Sequence, residues 1–146
     1  MTTNFEHADE FFSFLTGKAS AALGRRLQRN LKEEGVIITS EQWTLLYYLW
    51  IEEGRTQQEL AFLTFRDKPS ISRLINNLEK LKLVMRVNDK EDKRSNLIFL
   101  TKQGRQLRDV CMRGAKRTIE EALEGVNYEQ MQKAKDTLEH LYSNLK

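Results

Sequence analysis

The stretch Asp67–Gly104, DKPSISRLINNLEKLKLVMRVNDKEDKRSNLIFLTKQG, decides the fold. Its first part spaces Ile71, Leu74, Ile75, Leu78 and Leu81 by threes and fours, the pattern of a helix with one apolar side. Ser72, Arg73, Asn76 and Lys80 fall opposite, with Ser70 and Asn77 alongside. Pro69 suits a first helical turn and disfavours helical backbone at Lys68, so Lys68 is expected to lie outside the helix. Two short apolar runs follow, Val84–Asn88 and Asn96–Leu100, and read as strands around the charged tip Asp89–Ser95. A polar-faced helix followed at once by a β-hairpin is the outline of a helix-turn-helix with a wing. That shape puts one helix in a DNA major groove and one loop over the backbone or minor groove.

Working outward, the flanking segments read as helices. Thr56 with Glu59 forms a capping box that opens QELAFLT, and Thr39 with Gln42 forms another. The helix after Thr39 is expected to run to Gly54, and its Trp43, Leu45, Leu46, Tyr47, Leu49 and Trp50 leave so little polar face that it must be central. From about Phe5 to Glu34 a long stripe recurs at Phe12, Leu15, Ala19, Leu23, Leu27 and Leu31, with Gly35 as its stop. On the other side, Thr101 is expected to cap a single helix towards Glu124, stopped by Gly125. Asn127 with Gln130 caps a last helix carrying Met131, Ala134, Leu138, Leu141 and Leu145. The chain therefore reads as mainly α with a small β-hairpin, one domain over 1–146. Residues 36–104 form the winged helix-turn-helix, and residues 1–35 and 105–146 supply terminal helices.

Composition narrows the function. At 40% hydrophobic and 31% charged residues the chain is neither membrane-like nor disordered. It has no apolar run of transmembrane length, and acidic residues stand where a signal peptide carries basic ones, so a cytoplasmic location is expected. Between Arg66 and Arg108 there are twelve basic and five acidic residues, a net +7. The total of +3 leaves −4 for the rest. A basic segment on an acidic body is the footprint of a polyanion binder. Enzyme readings fail on inventory. His7 and His140 are the only histidines, no Cys/His cluster has metal spacing, and Gly17-Lys18 lacks both the upstream glycine and the following Ser/Thr of a phosphate loop. No metal or cofactor is expected. Cys111, the only cysteine, reads as a buried structural thiol.

The residue types on the outer face suit DNA. Arg73 can fork onto guanine, Asn76 or Asn77 can pair with adenine, and Ser70 and Ser72 can bond phosphate or a base edge. The helix N-terminus is expected to offer its amides to a phosphate. Lys93 and Arg94 sit near the wing tip, where Arg94 can enter a minor groove, and Asp92 is expected to pair with a basic side chain and fix the tip. Apolar stripes on both terminal helices predict a homodimer, and hence a pseudo-palindromic double-stranded operator. The competing class is a winged-helix protein–protein interaction module without DNA binding. A charged recognition face argues against it, because interface cores are depleted in charge. A protein that only sequesters a small molecule is a third.

At TQQELAFLT, SISRLINNLEKLKLV and DKEDKRSNLIFLTKQG the sequence resembles the MarR family of bacterial winged helix-turn-helix regulators. The family's Asp-x-Arg wing and Leu-Thr-x-x-Gly match Asp92-Lys93-Arg94 and Leu100-Thr101-Lys102-Gln103-Gly104. The resemblance implies a homodimeric repressor built on the first and last helices, with Ser70, Ser72, Arg73 and Asn76 at the major groove and Arg94 at the minor groove. It also implies a small aromatic or phenolic effector bound between the dimer and DNA-binding regions. Phe11, Phe14, Trp43 and Tyr47 are the candidate lining, with ordinary core packing the favoured reading for these aromatics. Lys82 and Phe65 stand where glycine is frequent in the family. A lysine at 82 must either take a left-handed backbone or end its helix differently.

Overall fold

The computed structural model describes residues 8–92 and 94–146, with residues 14–16 described by their backbone alone. The chain is helical from Ala8 to Glu33 as α1 (Ala8–Glu10), a π-wound stretch (Phe11–Lys18) and α2 (Ala19–Glu33). Then come α3 (Ser40–Ile51), β1 (Arg55–Thr56), α4 (Gln57–Leu63), α5 (Lys68–Lys80), β2 (Val84–Asn88) and β3 (Asn96–Leu100). The chain ends in α6 (Lys102–Gln106), α7 (Arg108–Ala122) and α8 (Tyr128–Leu145). The hairpin strands fall where the sequence puts them, and a third strand joins them. The antiparallel sheet has the order β1-β3-β2, with Arg55 opposite Ile98 and Val84 opposite Leu100. Two residues carry no period, so β1 left no trace in the sequence.

Other boundaries moved for local reasons. α3 stops at Ile51 rather than near Gly54: Glu52 is extended, and Gly54, at φ 77°, donates its N–H to Ile98 O at 2.8 Å. The helix expected after Thr101 is two helices, α6 and α7, meeting at Leu107. Lys68 is the first residue of α5 rather than outside it, because Asp67 caps that helix and sets its start one residue earlier. The boxes at Thr39 and Asn127 are complete, whereas Thr56 caps only the Glu59 amide.

Three helices end alike. After α2, Gly35 N–H reaches Lys32 O and Val36 N–H reaches Leu31 O, the paired bonds of a Schellman stop with a left-handed residue between. The same pair closes α4 around Phe65 (φ 55°) and α5 around Lys82 (φ 61°). Lys82 therefore takes the left-handed conformation that glycine would take without a Cβ penalty.

The core sits inside the winged region. Leu45, Leu46 and Leu49 of α3, Leu60 of α4, Ile71, Leu74, Ile75 and Leu78 of α5, and Ile98 and Leu100 of β3 are buried together. Leu81, expected among them, lies 44% exposed at the α5 C-cap. Gly104 lets α6 pass close to the backbone that leads into β2: a Cβ there would stand 2.2 Å from Leu83 O, which already accepts the Thr101 N–H at 3.0 Å. The long stripe of α2 is buried progressively. Leu31 is inaccessible, Leu27 partly covered, and Leu23 46% exposed. α7 packs on α2 through a polar seam in which Asn30 Nδ2 donates to Thr118 Oγ1 at 2.9 Å and to Glu121 Oε1 at 2.7 Å. α8 buries no residue, and its Met131, Leu138, Tyr142 and Leu145 are exposed.

Candidate nucleic-acid interface

α5 has a buried side and an open side. With Ile71, Leu74, Ile75 and Leu78 inside, the helical period turns Arg73, Asn76 and Lys80 outward, and all three are exposed, as is Asn77. Ser70 and Ser72 are half-buried on opposite flanks. Ser70 Oγ accepts from Arg73 Nη2 at 3.3 Å, which tethers the guanidinium one turn back along the open face. Ser72 Oγ accepts from Gln57 Nε2 at 3.1 Å and keeps its own hydrogen to donate.

The helix N-terminus is less open to a phosphate than the sequence suggested. Asp67 Oδ1 takes the Ser70 N–H at 2.7 Å, and Pro69 has no N–H to offer. That backbone hydrogen bond, more than the nearby Arg73 and Arg66, holds the Asp67 carboxyl below the usual aspartate range. Cations on the open face and the wing, rather than the helix end, supply the positive field there.

At the wing, Arg94 is exposed and its backbone N–H donates to Asp92 Oδ1 at 3.0 Å, while Ser95 Oγ donates to Asp92 Oδ2 at 3.3 Å. Asp92 thus fixes the tip by capping its turn through the Arg94 amide and Ser95 hydroxyl, and an ion pair of Asp92 with a basic side chain is not found among the described residues. Lys93 lies outside the described residues. The hairpin is fastened to α5 from below. Arg86 of β2 pairs with Glu79 and donates from Nε to Gln57 Oε1 at 3.1 Å. Sequence reasoning missed Arg86 and Gln57. No spacing rule links residues on three elements.

Of the four aromatics proposed as an effector lining, the three whose side chains are described do not converge. Trp43 lines a cavity of about 410 Å³ between α2, α3 and α7. Tyr47 stacks on Trp43 at 5.3 Å without lining it, Phe11 packs edge-on against Phe12, and the Phe14 side chain lies outside the described residues. Leu23, Leu27 and Ile119 complete the apolar wall, and Thr118 and Arg66 bring polar groups. Cys111 is fully buried, and burial pushes its thiol up to about 11, so it stays protonated and inert near neutrality. Among the described residues no group of His, Cys, Asp and Glu could hold a metal ion, and no helix is long and apolar enough to cross a membrane.

A central α3, the α4–turn–α5 pair and a three-stranded wing define a winged helix-turn-helix protein. The sequence pattern of the MarR family matches residues 38–95, from the lead into α3 through the wing. The HTH-type transcriptional regulator TtmR of Methylorubrum extorquens is 33% identical over 100 residues. That match takes in 68% of this chain and 50% of TtmR, so the chain spans about half the length of that relative. In three dimensions the chain is similar to S. aureus MepR, solved as a complex with DNA. The TM-score is 0.79 at 25% identity, over 99% of this chain and 100% of that one. A probable transcriptional regulator of Pseudomonas aeruginosa has the same fold, with a TM-score of 0.81 at 23% identity over 92% and 98% of the two chains. The winged region of the chain, residues 38–95, is thus of the MarR family of winged-helix regulators.

Proposed function

We propose that the protein is a homodimeric, sequence-specific DNA-binding transcriptional regulator, a cytoplasmic repressor released by a small molecule. The observation that carries this reading is the open face of α5. Arg73, Asn76, Asn77 and Lys80 stand exposed on a helix whose other side is locked into the core. In this reading Arg73 forks onto a guanine edge and the asparagines read adenine, while Ser70 and Ser72 donate to phosphate or base. Lys93 and Arg94 carry the wing to the backbone and minor groove. The exposed stripe of α8 and the outer end of the first helical run pair with a second copy. A two-fold axis then sets two α5 helices about one DNA turn apart.

Selection of bound duplexes from a random library tests this. An enriched pseudo-palindrome with half-sites about one turn apart is the expected result, with affinity falling steeply as salt rises, because lysine and arginine release phosphate counterions. Arg73→Ala should cost about 1–3 kcal/mol on the selected site and much less on random DNA. Equal losses on both would make Arg73 a phosphate contact. Failure to retain any duplex at low salt would favour the protein–protein module.

The effector belongs in the cavity beside Trp43, where Arg66 suits the carboxylate or phenolate of a small aromatic compound. Arg66 directly precedes the α5 cap Asp67, so an occupant there can shift the recognition helix. Titration calorimetry with small aromatic acids checks the assignment. Unchanged binding by Arg66→Gln would remove the ligand from this cavity.

A further inference from the structure

One guanidinium holds the wing against the recognition helix at two points. Arg86 lies in the middle of β2, opposite Ile98 of β3, and its side chain is 22% exposed. One nitrogen pairs with Glu79, and Nε donates to Gln57 Oε1 at 3.1 Å. Gln57 is the first residue of α4, and its Nε2 passes the connection to Ser72 Oγ at 3.1 Å. Ser72 and Glu79 are seven residues apart, two turns along the same flank of α5. The chain of contacts therefore grips α5 near both ends of its reading face, and the gripping strand is the one that leads into the wing tip. An amide in the middle, accepting from one side and donating to the other, orients both neighbours at once. Only a forked cation can reach Gln57 and Glu79 together; an ammonium has no such planar geometry.

We propose that Arg86, acting through Gln57, is the positioning residue that sets the angle between wing and recognition helix, so that the major-groove and wing contacts engage DNA as one rigid reader. The proposal rests on the DNA-binding reading above and adds a residue that touches no DNA. It also assigns the basic charge at 86 an internal role, unlike the exposed cations of α5 and the wing.

A double-mutant cycle on the selected operator tests it, with duplex affinity measured at one salt concentration for the wild type, Arg94→Ala, Arg86→Met and the double variant. Arg94→Ala should weaken the wild type about tenfold and the Arg86→Met protein less than about twofold, because a misplaced wing has no contact left to lose. Arg86→Lys should behave like Arg86→Met rather than rescue, which a simple need for charge would not predict. Equal effects of Arg94→Ala in both backgrounds would overturn the proposal. No effect of Arg94→Ala in the wild type would also overturn it while leaving DNA binding intact. A wild type that binds no duplex would instead strike the functional reading itself, and this proposal with it. Should Arg86→Met fail to fold, Gln57→Met keeps the Arg86–Glu79 pair and severs the other arm, from Arg86 through Gln57 to Ser72. The Arg94 effect should shrink there too, and an undiminished effect overturns the proposal.

Discussion

The winged region and α8 carry equally regular apolar stripes and meet opposite fates. Of the sixteen buried apolar residues among those described, all but Leu31 and Cys111 lie between Val36 and Leu100, and none lies in α8. α5 hides Ile71, Leu74, Ile75 and Leu78 inside its own chain. α8 leaves Met131, Leu138, Tyr142 and Leu145 uncovered at the same spacing. Periodicity thus reports that a helix has an apolar face, not which chain covers it. The winged half buries its stripe within one protomer, and in the proposed homodimer the terminal half finds its cover on a second.

The harshest way to break this comparison is at Gly104. Its missing Cβ would fall 2.2 Å from a backbone oxygen, and backbone yields less than a side chain end. The carbonyl cannot retreat without disturbing the Thr101 N–H that it accepts. Gly104→Ala should therefore lower the unfolding free energy by about 3 kcal/mol or more, read by urea denaturation. A change under about 1 kcal/mol would show that the winged half is more pliant than its packing implies.

Next in size is the other half. Leu138, 48% exposed in the protomer, stands in the middle of the α8 stripe. Covering a leucine is worth about 1.5–3 kcal/mol, and a two-fold interface counts it twice. Leu138→Lys should raise the dimer dissociation constant by about a hundredfold or more, measured by sedimentation, while each winged half stays folded by circular dichroism. A dimer of unchanged strength would mean that this face meets something else, and the division of labour drawn above would fail.

What the sequence disclosed follows the same line. Features set by neighbours along the chain were legible: the boxes at Thr39 and Asn127, both hairpin strands, and the exposed Arg73, Asn76 and Asn77; the two alternatives at Lys82 came from the family resemblance, and the structure takes the left-handed one. Features set by neighbours in space were not. Arg86 finds Glu79 and Gln57 only once β2 lies over α4 and α5. β1 exists only because Ile98 and Leu97 lie opposite it. Pro69 marks the start of α5 in the sequence, but the cap Asp67 sets it one residue earlier, at Lys68, and occupies the Ser70 amide. The break at Leu107 has no glycine or proline to mark it.

A smaller effect sharpens the contrast at the helix ends. Left-handed backbone costs a residue with a Cβ roughly 1–2 kcal/mol. Lys82→Gly removes that cost and should stabilise the protein by about 1 kcal/mol, discounted for the greater freedom of glycine in the unfolded chain. Phe65→Gly should gain much less. Phe65, although 78% exposed, meets Tyr142 of α8 edge-on at 5.9 Å, the one aromatic contact among the described residues between α8 and the turn before α5. Thermal unfolding of both variants decides this, and equal gains would show that the Phe65–Tyr142 contact carries no weight.

The least effect is expected in acid, at the pairs that fasten the helices flanking the winged core. Arg105 clasps Glu53 through two hydrogen bonds, at 3.0 and 2.9 Å, and lowers its carboxyl below the ordinary 4.5, helped by the Leu100 N–H. Asn30 and then Arg26 do the same for Glu121. A carboxyl with a lowered folded pKa stabilises fully above its unfolded value and loses that contribution as pH falls through the folded one. Stability should therefore decline below about pH 4.5, and Glu53→Gln should flatten that decline while lowering the plateau near neutrality. Both carboxylates are partly exposed, so solvent screening keeps each share small. Urea midpoints recorded against pH give the answer. Because α8 has no comparable clasp to α2 or to the winged core among the described contacts, the acid loss should appear as weaker folding of each protomer before any loss of pairing between them. Dissociation preceding unfolding as pH falls would place the sensitive carboxylates at the dimer face instead.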